Sequence, residues 1–441
     1  MPTLRGSDGS VYETNRELAR GGEGVIVEIR GRPDLLAKLY LPGQASAERF
    51  AKLRAMLADP PRDEMRLSEF KHPSIAWPLA GLNEGRRFAG FVMPRIHGGH
   101  ALFNAYLVPP RGALDLDWRA RHQVAKNLGI ALNALHVKGY VMGDINERNI
   151  LVNAQGLVTL VDTDSYQVRA GPVVHRCTVG MPEYTPPELH GQRFDRVDRS
   201  PEHDRFGLAV LVFKLLMDGR HPFAGVPTDL QRSYGKVDEW CIKSGIFPWS
   251  RNAHFSKPPA ARALDSLDPR LAALFVRCFV SGHSAPAARP MPSEWIDTLD
   301  RARARLVRCA SGRHWRYPEG GECHLCRRAA SVKANPAVRK VRTHQPPVQP
   351  WPQPVQPRPT VKPPPPVPVT TPRPTPVRNQ STSQDKVRSW VSSLLVYGLL
   401  PAALMGDAAW MATDPNDLAI QVNNVVFLIS ALYLLVLRLR K

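Results

Sequence analysis

The spacing of apolar positions changes several times along the chain. Residues 18–40, "LARGGEGVIVEIRGRPDLLAKLY", hold short β-rich runs on either side of a glycine cluster. Residues 143–166, "GDINERNILVNAQGLVTLVDTDSY", hold two more, "ILV" and "LVTLV", around the turn "NAQG". Short apolar runs bounded by Gly, Asn and Asp predict strands joined by tight turns. Later in the stretch from about 10 to 305 the apolar pattern lengthens to helical spacing, so this region predicts a strand-rich first part and a helix-rich second part. No internal structural repeat interrupts it.

Beyond residue 305 the pattern breaks into three further zones. Residues 306–328 carry Cys and His. Residues 329–385 are dominated by Pro, Gln, Thr, Val and basic side chains, including "KPPPPVPV". Such a stretch builds no packed core and favours extended polyproline II, which predicts a semi-rigid spacer. The last zone, 386–441, holds two apolar runs, roughly Trp390 to Ala412 and Ala419 to Leu439. A spanning helix needs about 20 mostly apolar residues. The second run meets that length, and the first is interrupted by Pro401 and Asp407. Lys386 and Arg388 precede the pair and Arg438, Arg440 and Lys441 end it, with only Asp414 and Asp417 between. The bias of basic residues predicts a membrane hairpin with both ends on the cytoplasmic side. That makes the expectation a multi-pass inner-membrane protein whose body faces the cytoplasm. The competing reading is a soluble helical pair packed on itself.

Composition changes this picture in two places. The chain has 441 residues, 43% hydrophobic and 22% charged, ordinary for a globular protein with a sizeable core. Its net charge of +20 is not ordinary, but half of that excess lies between Arg327 and Arg378, where no Asp or Glu occurs. Charge on a segment that builds no fold points to an anionic membrane surface at least as well as to nucleic acid, and no nucleic-acid-binding motif accompanies it. Nucleic acid is therefore not expected as a partner. The start, "MPTLRGSDGSVYETNREL", has no apolar core of a signal peptide. Cys177, Cys241 and Cys278 are widely spaced, whereas Cys309, Cys323 and Cys326 cluster.

That cluster reads Cys309-x4-His314-x8-Cys323-x2-Cys326. Thiolate and imidazole donors at this spacing suit tetrahedral Zn²⁺, and four protein ligands make a structural site. His324 competes with His314 for the fourth position, and its place inside the Cys-x2-Cys turn favours His314. Such a module would cap the preceding domain or hold a partner. The Pro-rich segment offers a second docking element.

The remaining chemistry lies upstream. Gly21, Gly22 and Gly24 at a strand turn would let backbone N–H groups approach phosphate oxygens, and Lys38 on the following run would add a point charge. Asp144 lies five residues before Asn149, and Asp162 follows the strand–turn–strand. Asn149 and Asp162 suit a Mg²⁺ ion that keeps positions for phosphate, with Asp144 free to accept a proton. The bland alternative is that these residues only serve turns.

The ordered series of motifs resembles the protein kinase family over approximately residues 10–305. "GGEGVI" resembles the Gly-rich loop, "LAKLY" the third-strand lysine, and "GFVMPRI" the hinge between lobes. "LHVKGYVMGDINERNIL" resembles the catalytic loop, "VDTD" the metal-binding aspartate motif, and "VGMPEYTPPEL" the end of the activation segment. "DRFGLAVLVFKLLMDGRHPFAG" resembles the long buried helix and "ARPMPSEW" the closing arginine motif. More narrowly, "GGEG", "GDIN" with the following Asn149, "DTDS" and "PPEL" resemble a bacterial Ser/Thr kinase branch found beside tellurium-resistance-type proteins. The resemblance implies an α+β, two-lobed fold with a β-rich first lobe and a helical second lobe.

It also implies roles. Lys38 would contact the ATP phosphates, Asp144 would be the catalytic base, and Asn149 and Asp162 would hold Mg²⁺. Gly21, Gly22, Gly24, Ile26, Ala37, Met93 and Ile96, with the backbone near Pro94, would surround the nucleotide. Glu188 would pair with Arg289, and Asp204 would brace the catalytic loop. The glutamate partner of Lys38 is Glu48, with Glu64 and Glu69 as alternatives. Four positions depart from the pattern. Ala19 replaces the first loop glycine, and Gly143 replaces the arginine before the base, so no cation is expected there for a phosphorylated activation loop. Asn146 replaces the auxiliary lysine, and Thr163 and Asp164 follow Asp162. The implied activity is ATP-dependent transfer to Ser/Thr hydroxyls of a protein substrate, and the alternative is a nucleotide-binding pseudokinase scaffold.

Overall fold

A computed structural model describes residues 3–107, 112–229, 231, 233–252, 254–259, 261–319 and 322–334, all inside the compact unit Met1–Gln356. The first lobe is a closed antiparallel barrel. Its strands are β1 (Thr3–Gly6), β2 (Val11–Arg20), β3 (Gly24–Ile29), β4 (Arg32–Tyr40), β5 (Ala80–Glu84) and β6 (Arg87–Pro94), in the order β1-β2-β3-β4-β6-β5. Alternation along each strand sends one set of side chains inward. Leu4, Tyr12, Val27, Ile29, Leu35, Ala37, Leu82 and Val92 make the barrel core. The opposite face of β3 and β4 presents Ile26, Leu36 and Lys38 to the cleft below.

Helix α1 (Ala47–Ala58) lies between β4 and β5 in sequence, followed by the one-turn α2 (Glu64–Leu67). Ser46 caps α1, its hydroxyl accepting from the Arg49 N–H at 3.1 Å. The buried side chains of α1 are Lys52, Leu53 and Met56. A lysine on the inward face of a helix is unusual.

The second lobe is helical. Helix α3 (Trp118–Val137) starts at Asp117, whose carboxylate accepts from Ala120 N–H at 2.9 Å. A three-stranded sheet of β7 (His100–Ala101), β8 (Ile150–Val152) and β9 (Val158–Leu160) carries the hairpin expected from "ILV" and "LVTLV". Helix α4 (Pro201–Leu216) is buried on nearly every side from Phe206 to Leu216, as an apolar helix without a polar face must be. Asp204, in its first turn, accepts from the backbone N–H groups of Met142 at 2.7 Å and Gly143 at 2.9 Å. The catalytic-loop backbone is thereby pinned to the most buried helix of the lobe. Arg289 is fully buried and donates to both oxygens of Glu188, at 2.6 and 2.8 Å, and to the carbonyl of Gly282 at 2.9 Å.

The first residues assigned to the Pro-rich spacer instead continue a helix, His324–Ala334; the rest of the spacer and the apolar pair of 386–441 lie outside the described residues. The expected multi-pass inner-membrane placement is corrected. Among the described residues no helix is long and apolar enough to cross a membrane, and the hydropathy on which that placement rested lies outside them.

Arg289→Ala would leave Glu188 without its bidentate partner in a half-buried site. Loss of one partner from a buried ion pair costs about 3 kcal/mol or more. Urea unfolding should show a lower midpoint of that order, and Arg289→Lys should recover only part of it, because a single ammonium does not reproduce the fork.

Candidate active site

Two adjoining cavities fill the cleft between the lobes. One, of about 540 Å³, is polar and lies under the turn Gly21–Gly24; Asp144, Asp162 and Asp164 are on its floor and α1 supplies Glu48, Arg49 and Lys52. The other, of about 280 Å³, is mostly apolar and is lined by Leu36, Ala76, Met93, Ile96 and Leu151 among others. Ile26, Lys38, Asp162 and Asp164 line both, so the two are continuous. An apolar slot opening into a polar chamber suits a flat heterocycle carrying an anionic tail.

The glycine turn joins β2 to β3. A Cβ on Gly24 would stand 2.7 Å from the Leu39 carbonyl oxygen, so only glycine permits this approach of β3 to β4. The turn is held to α1 by a two-point ion pair, Arg49 donating to Glu23 at 2.6 and 3.0 Å.

Lys38 is buried, and its ammonium donates to Asp162 at 2.7 Å and to Asp164 at 2.6 Å. The Tyr40 hydroxyl donates to the other oxygen of Asp164 at 2.9 Å. Burial alone would lower the Lys38 pKa, but the carboxylates of Asp164 and Asp162 outweigh it and hold the pKa raised. The lysine stays charged.

Asp162 stands in the left-handed region, at φ 56° and ψ 40°. Asp tolerates this conformation better than most residues, yet at a cost that is typical of functional sites. The turn after it is fixed by Thr163, whose hydroxyl donates to the Ala76 carbonyl at 3.1 Å. Asn149 donates its amide to the Asp144 carboxylate at 2.9 Å and to the Asp144 carbonyl at 3.1 Å, which leaves its own carbonyl oxygen as a ligand atom. Asn149 and Asp162 thus offer the hard oxygen donors that Mg²⁺ prefers.

Asp144 is unusual in one respect. Its Oδ1 is buried and has no hydrogen-bond partner among the described residues. Burial raises its pKa, against the hydrogen bonds from Asn146 and Asn149, which lower it. A basic oxygen with an unmet acceptor in a cleft is a group ready to take a proton from an incoming hydroxyl.

Three expectations need correction. The carboxylate that pairs with Lys38, besides Asp162, is Asp164 rather than Glu48. Glu48 lies on the exposed rim of the cavity, and one turn further along α1 the inward position belongs to Lys52, which repels rather than pairs with a second ammonium. Ala37 lines neither cavity, because strand alternation turns it into the barrel core, and Leu36 takes the place on the nucleotide face. A cation does stand beside Gly143. Arg199, buried and reaching in from the start of α4, donates to the carbonyls of Gly143 and Val179 and stacks at 4.1 Å over Phe194. Gly143 has φ 74°, and a Cβ there would lie 2.8 Å from the Cys177 side chain, so a side chain at this position is excluded and a distant arginine supplies the charge. Asn146 accepts from the N–H groups of Arg148 at 2.9 Å and Asn149 at 3.2 Å. In place of a charge it contributes the turn that delivers Asn149.

Gly21, Gly22, Gly24, Ile26, Lys38, Met93, Ile96, Asp144 and Asp162 all line the cleft, and Asn149 adjoins it through Asp144. Sequence reasoning missed Leu36, Lys52, Asp164 and Arg199. The acidic residue at 164 was visible as a departure from the family pattern, but nothing in the string links Arg199 to Gly143.

The second cluster lies near the N-terminal end of α3. The ligand atoms of Cys309, His314, Cys323 and Cys326 all lie within 4.8 Å of one another. Cys309 and Cys326 sulfurs are 3.9 Å apart, and His314 Nδ1 is 3.9, 3.6 and 3.4 Å from the sulfurs of Cys309, Cys323 and Cys326. A tetrahedral zinc with ordinary bond lengths sets sulfur–sulfur edges of about 3.8 Å and sulfur–nitrogen edges of about 3.5 Å. The donor set fits. His324 faces away, with a buried Nε2 lacking a partner among the described residues. The segment just after His314 packs on α3: Trp315 donates to Asp117 at 2.6 Å, and the buried Tyr317 hydroxyl lies 2.7 Å from His122 Nε2.

Residues 59–269 match the family model described as protein kinase domain. The chain is 32% identical over 326 residues to protein kinase YegI of Escherichia coli O157:H7, covering 72% of this chain and 49% of that protein. It is likewise 32% identical over 321 residues to protein kinase YegI of Escherichia coli strain K12, covering 71% and 48%. A shorter stretch of 152 residues is 25% identical to a probable serine/threonine-protein kinase, kinX, of Dictyostelium discoideum, covering 33% of this chain and 13% of that one. The chain therefore spans about half the length of the YegI relatives it matches.

Because the folded pKa of Asp144 lies above its unfolded value, the fold disfavours the ionised form once pH exceeds the unfolded value. Asp144→Asn should accordingly melt at or above the wild-type temperature at neutral pH, and the difference should vanish as pH falls below both values. Thermal denaturation across pH measures this.

Proposed function

From a chain that carries a protein kinase domain at residues 59–269, we propose an ATP-dependent protein kinase that phosphorylates Ser or Thr hydroxyls. The observation that carries this reading is the buried Oδ1 of Asp144, without a partner among the described residues, on a side chain that lines a cleft whose other groups are a charged lysine and paired oxygen donors. Adenine would occupy the apolar slot beside Met93 and Ile96, and the triphosphate the polar chamber under the glycine turn. Asn149 and Asp162 would hold Mg²⁺, which supplies charge neutralisation between the β- and γ-phosphates. Lys38, kept cationic by Asp162 and Asp164, would hold phosphate oxygens. Asp144 would accept the hydroxyl proton as the substrate oxygen bonds to the γ-phosphorus and the bond to ADP breaks.

Preference for Ser and Thr rests on resemblance and on the names of relatives, and the placement beside tellurium-resistance-type proteins rests on short motifs alone. The Cys309, His314, Cys323 and Cys326 set would hold Zn²⁺ as a structural ion, tethering the Trp315–Tyr317 segment to α3. The module then acts as a cap of the helical lobe, and partner docking is a secondary use.

Labelled-ATP transfer with the full chain and Mg²⁺ tests the reading. Wild type should transfer, and Asp144→Asn and Asp162→Asn should each lose on the order of 100-fold or more, the size of a lost general base or metal ligand. Nucleotide binding with no transfer under any condition would favour the scaffold. For the zinc site, a strong chelator should lower the melting temperature by several degrees, and re-added Zn²⁺, but not Mg²⁺, should restore it. Cys323→Ser should melt low and respond to neither.

A further inference from the structure

Four cations line the polar chamber: Lys38, Arg49, Lys52 and Arg176. Three of them have carboxylate partners. Lys38 holds Asp162 and Asp164, Arg49 holds Glu23, and Arg176 donates to Asp198 at 2.6 Å. Lys52 is the exception. It is 8% exposed, and no acceptor among the described residues lies within bonding distance of its ammonium. The carboxylates nearest in influence, Asp164 and Asp162, are already committed to Lys38 and Tyr40.

The side chain is buried along α1, but its ammonium is not among the sealed, unpartnered polar atoms of the described residues, so the charge opens onto the chamber with no fixed carboxylate to meet it, at a desolvation cost. Burial lowers its pKa to about 8, so it is still mostly protonated at neutral pH, and the charged form is the one the fold disfavours. No packing argument requires it, since Leu53 and Met56 beside it on α1 show that this face is otherwise apolar. A methionine would fill the same volume without the penalty. An anion in the chamber would offset that cost.

The position identifies the anion. Lys52 lines the polar chamber and not the apolar slot, so it faces the part of the cleft assigned above to the triphosphate. On the proposed kinase reading, we infer that Lys52 is a second phosphate-binding cation, contacting the nucleotide's phosphate oxygens from α1 while Lys38 contacts them from β4. The exchange of roles is complete: Asp164 supplies from the metal-binding turn the carboxylate that orients Lys38, and α1 supplies a cation where a carboxylate was expected.

Equilibrium binding of MgATP and of adenosine to the full chain tests this, with wild type, Lys52→Met and Lys52→Arg. Lys52→Met should melt at or above wild type without ligand, which also shows that it folds. Its MgATP affinity should fall by roughly 10-fold or more, the loss expected for one charge-assisted phosphate contact, while adenosine affinity stays unchanged. Lys52→Arg, which keeps the charge, should retain most of the MgATP affinity. Unchanged MgATP affinity in folded Lys52→Met would overturn the assignment of Lys52 and leave the kinase reading standing. A wild type that binds no MgATP would sink both.

Discussion

One ammonium ties the two lobes together. Lys38, on the barrel, reaches across the cleft to two carboxylates of the helical lobe, Asp162 and Asp164. Everything else in the site is arranged around that bridge. The left-handed backbone at Asp162 turns the chain so that residues 162 and 164 both face the lysine, and the Thr163 hydroxyl locks the intervening residue to the Ala76 carbonyl. Tyr40, two residues beyond Lys38 on the same strand face, takes the remaining oxygen of Asp164. The strain at Asp162 is therefore held by three contacts that arise from the barrel and the segment leading to it. A site built this way keeps its lysine charged and fixes the Asp162 carboxylate in place, the kind of pre-organisation that a reaction run by positioning and electrostatics needs.

The second lobe supplies the rigid floor. Asp204 receives the backbone of Met142 and Gly143, Arg199 crosses to the same loop, and Asn146 folds the turn that presents Asn149. None of these contacts touches a reacting group. Each removes a degree of freedom from Asp144, which is why its Oδ1 can remain buried and unpaired instead of collapsing onto a neighbour. The Cys-His hairpin extends the same logic to the far side of α3, where Tyr317, His122 and Trp118 pack edge to face. The helix that ends just before the catalytic loop is thus clamped at its opposite end.

How far the string of residues reveals this depends on range. Local periodicity shows the strands of the barrel and the β8–β9 hairpin, and fixed spacing shows Asp144, Asn149 and Asp162, because those residues act within one hairpin. Ala37 was misread because family position was followed where strand alternation decides, and alternation sends Leu36 and Lys38 to one face together. Glu48 was misread for a deeper reason. A pairing with Lys38 would be a tertiary contact between α1 and β4, and nothing local fixes which inward position of a helix meets a strand. Arg199 and Gly143 are 56 residues apart and connected only by the fold. The membrane placement failed differently: it rested on apolar run length and flanking charge in a segment outside the described residues, and no helix among the described residues is long and apolar enough to span.

Charge distribution in the cleft follows from the same long-range contacts. If a glutamate on α1 paired with Lys38, Asp164 would be superfluous, and a lysine at 52 would sit against an ion pair that it could only disrupt. With Asp164 beside Asp162, both carboxylates come from one turn of the helical lobe, and α1 is relieved of that duty. The inward position of α1 is then free to carry a cation. Glu23 and Arg49 use the same freedom, tying the glycine turn to α1, so that the turn and the helix approach the chamber as one unit. An anionic tail entering there would meet Lys38 on β4 and Lys52 on α1, and would compete with Glu23 for Arg49. The Glu23–Arg49 clamp thus neutralises a guanidinium that α1 presents beside the glycine turn.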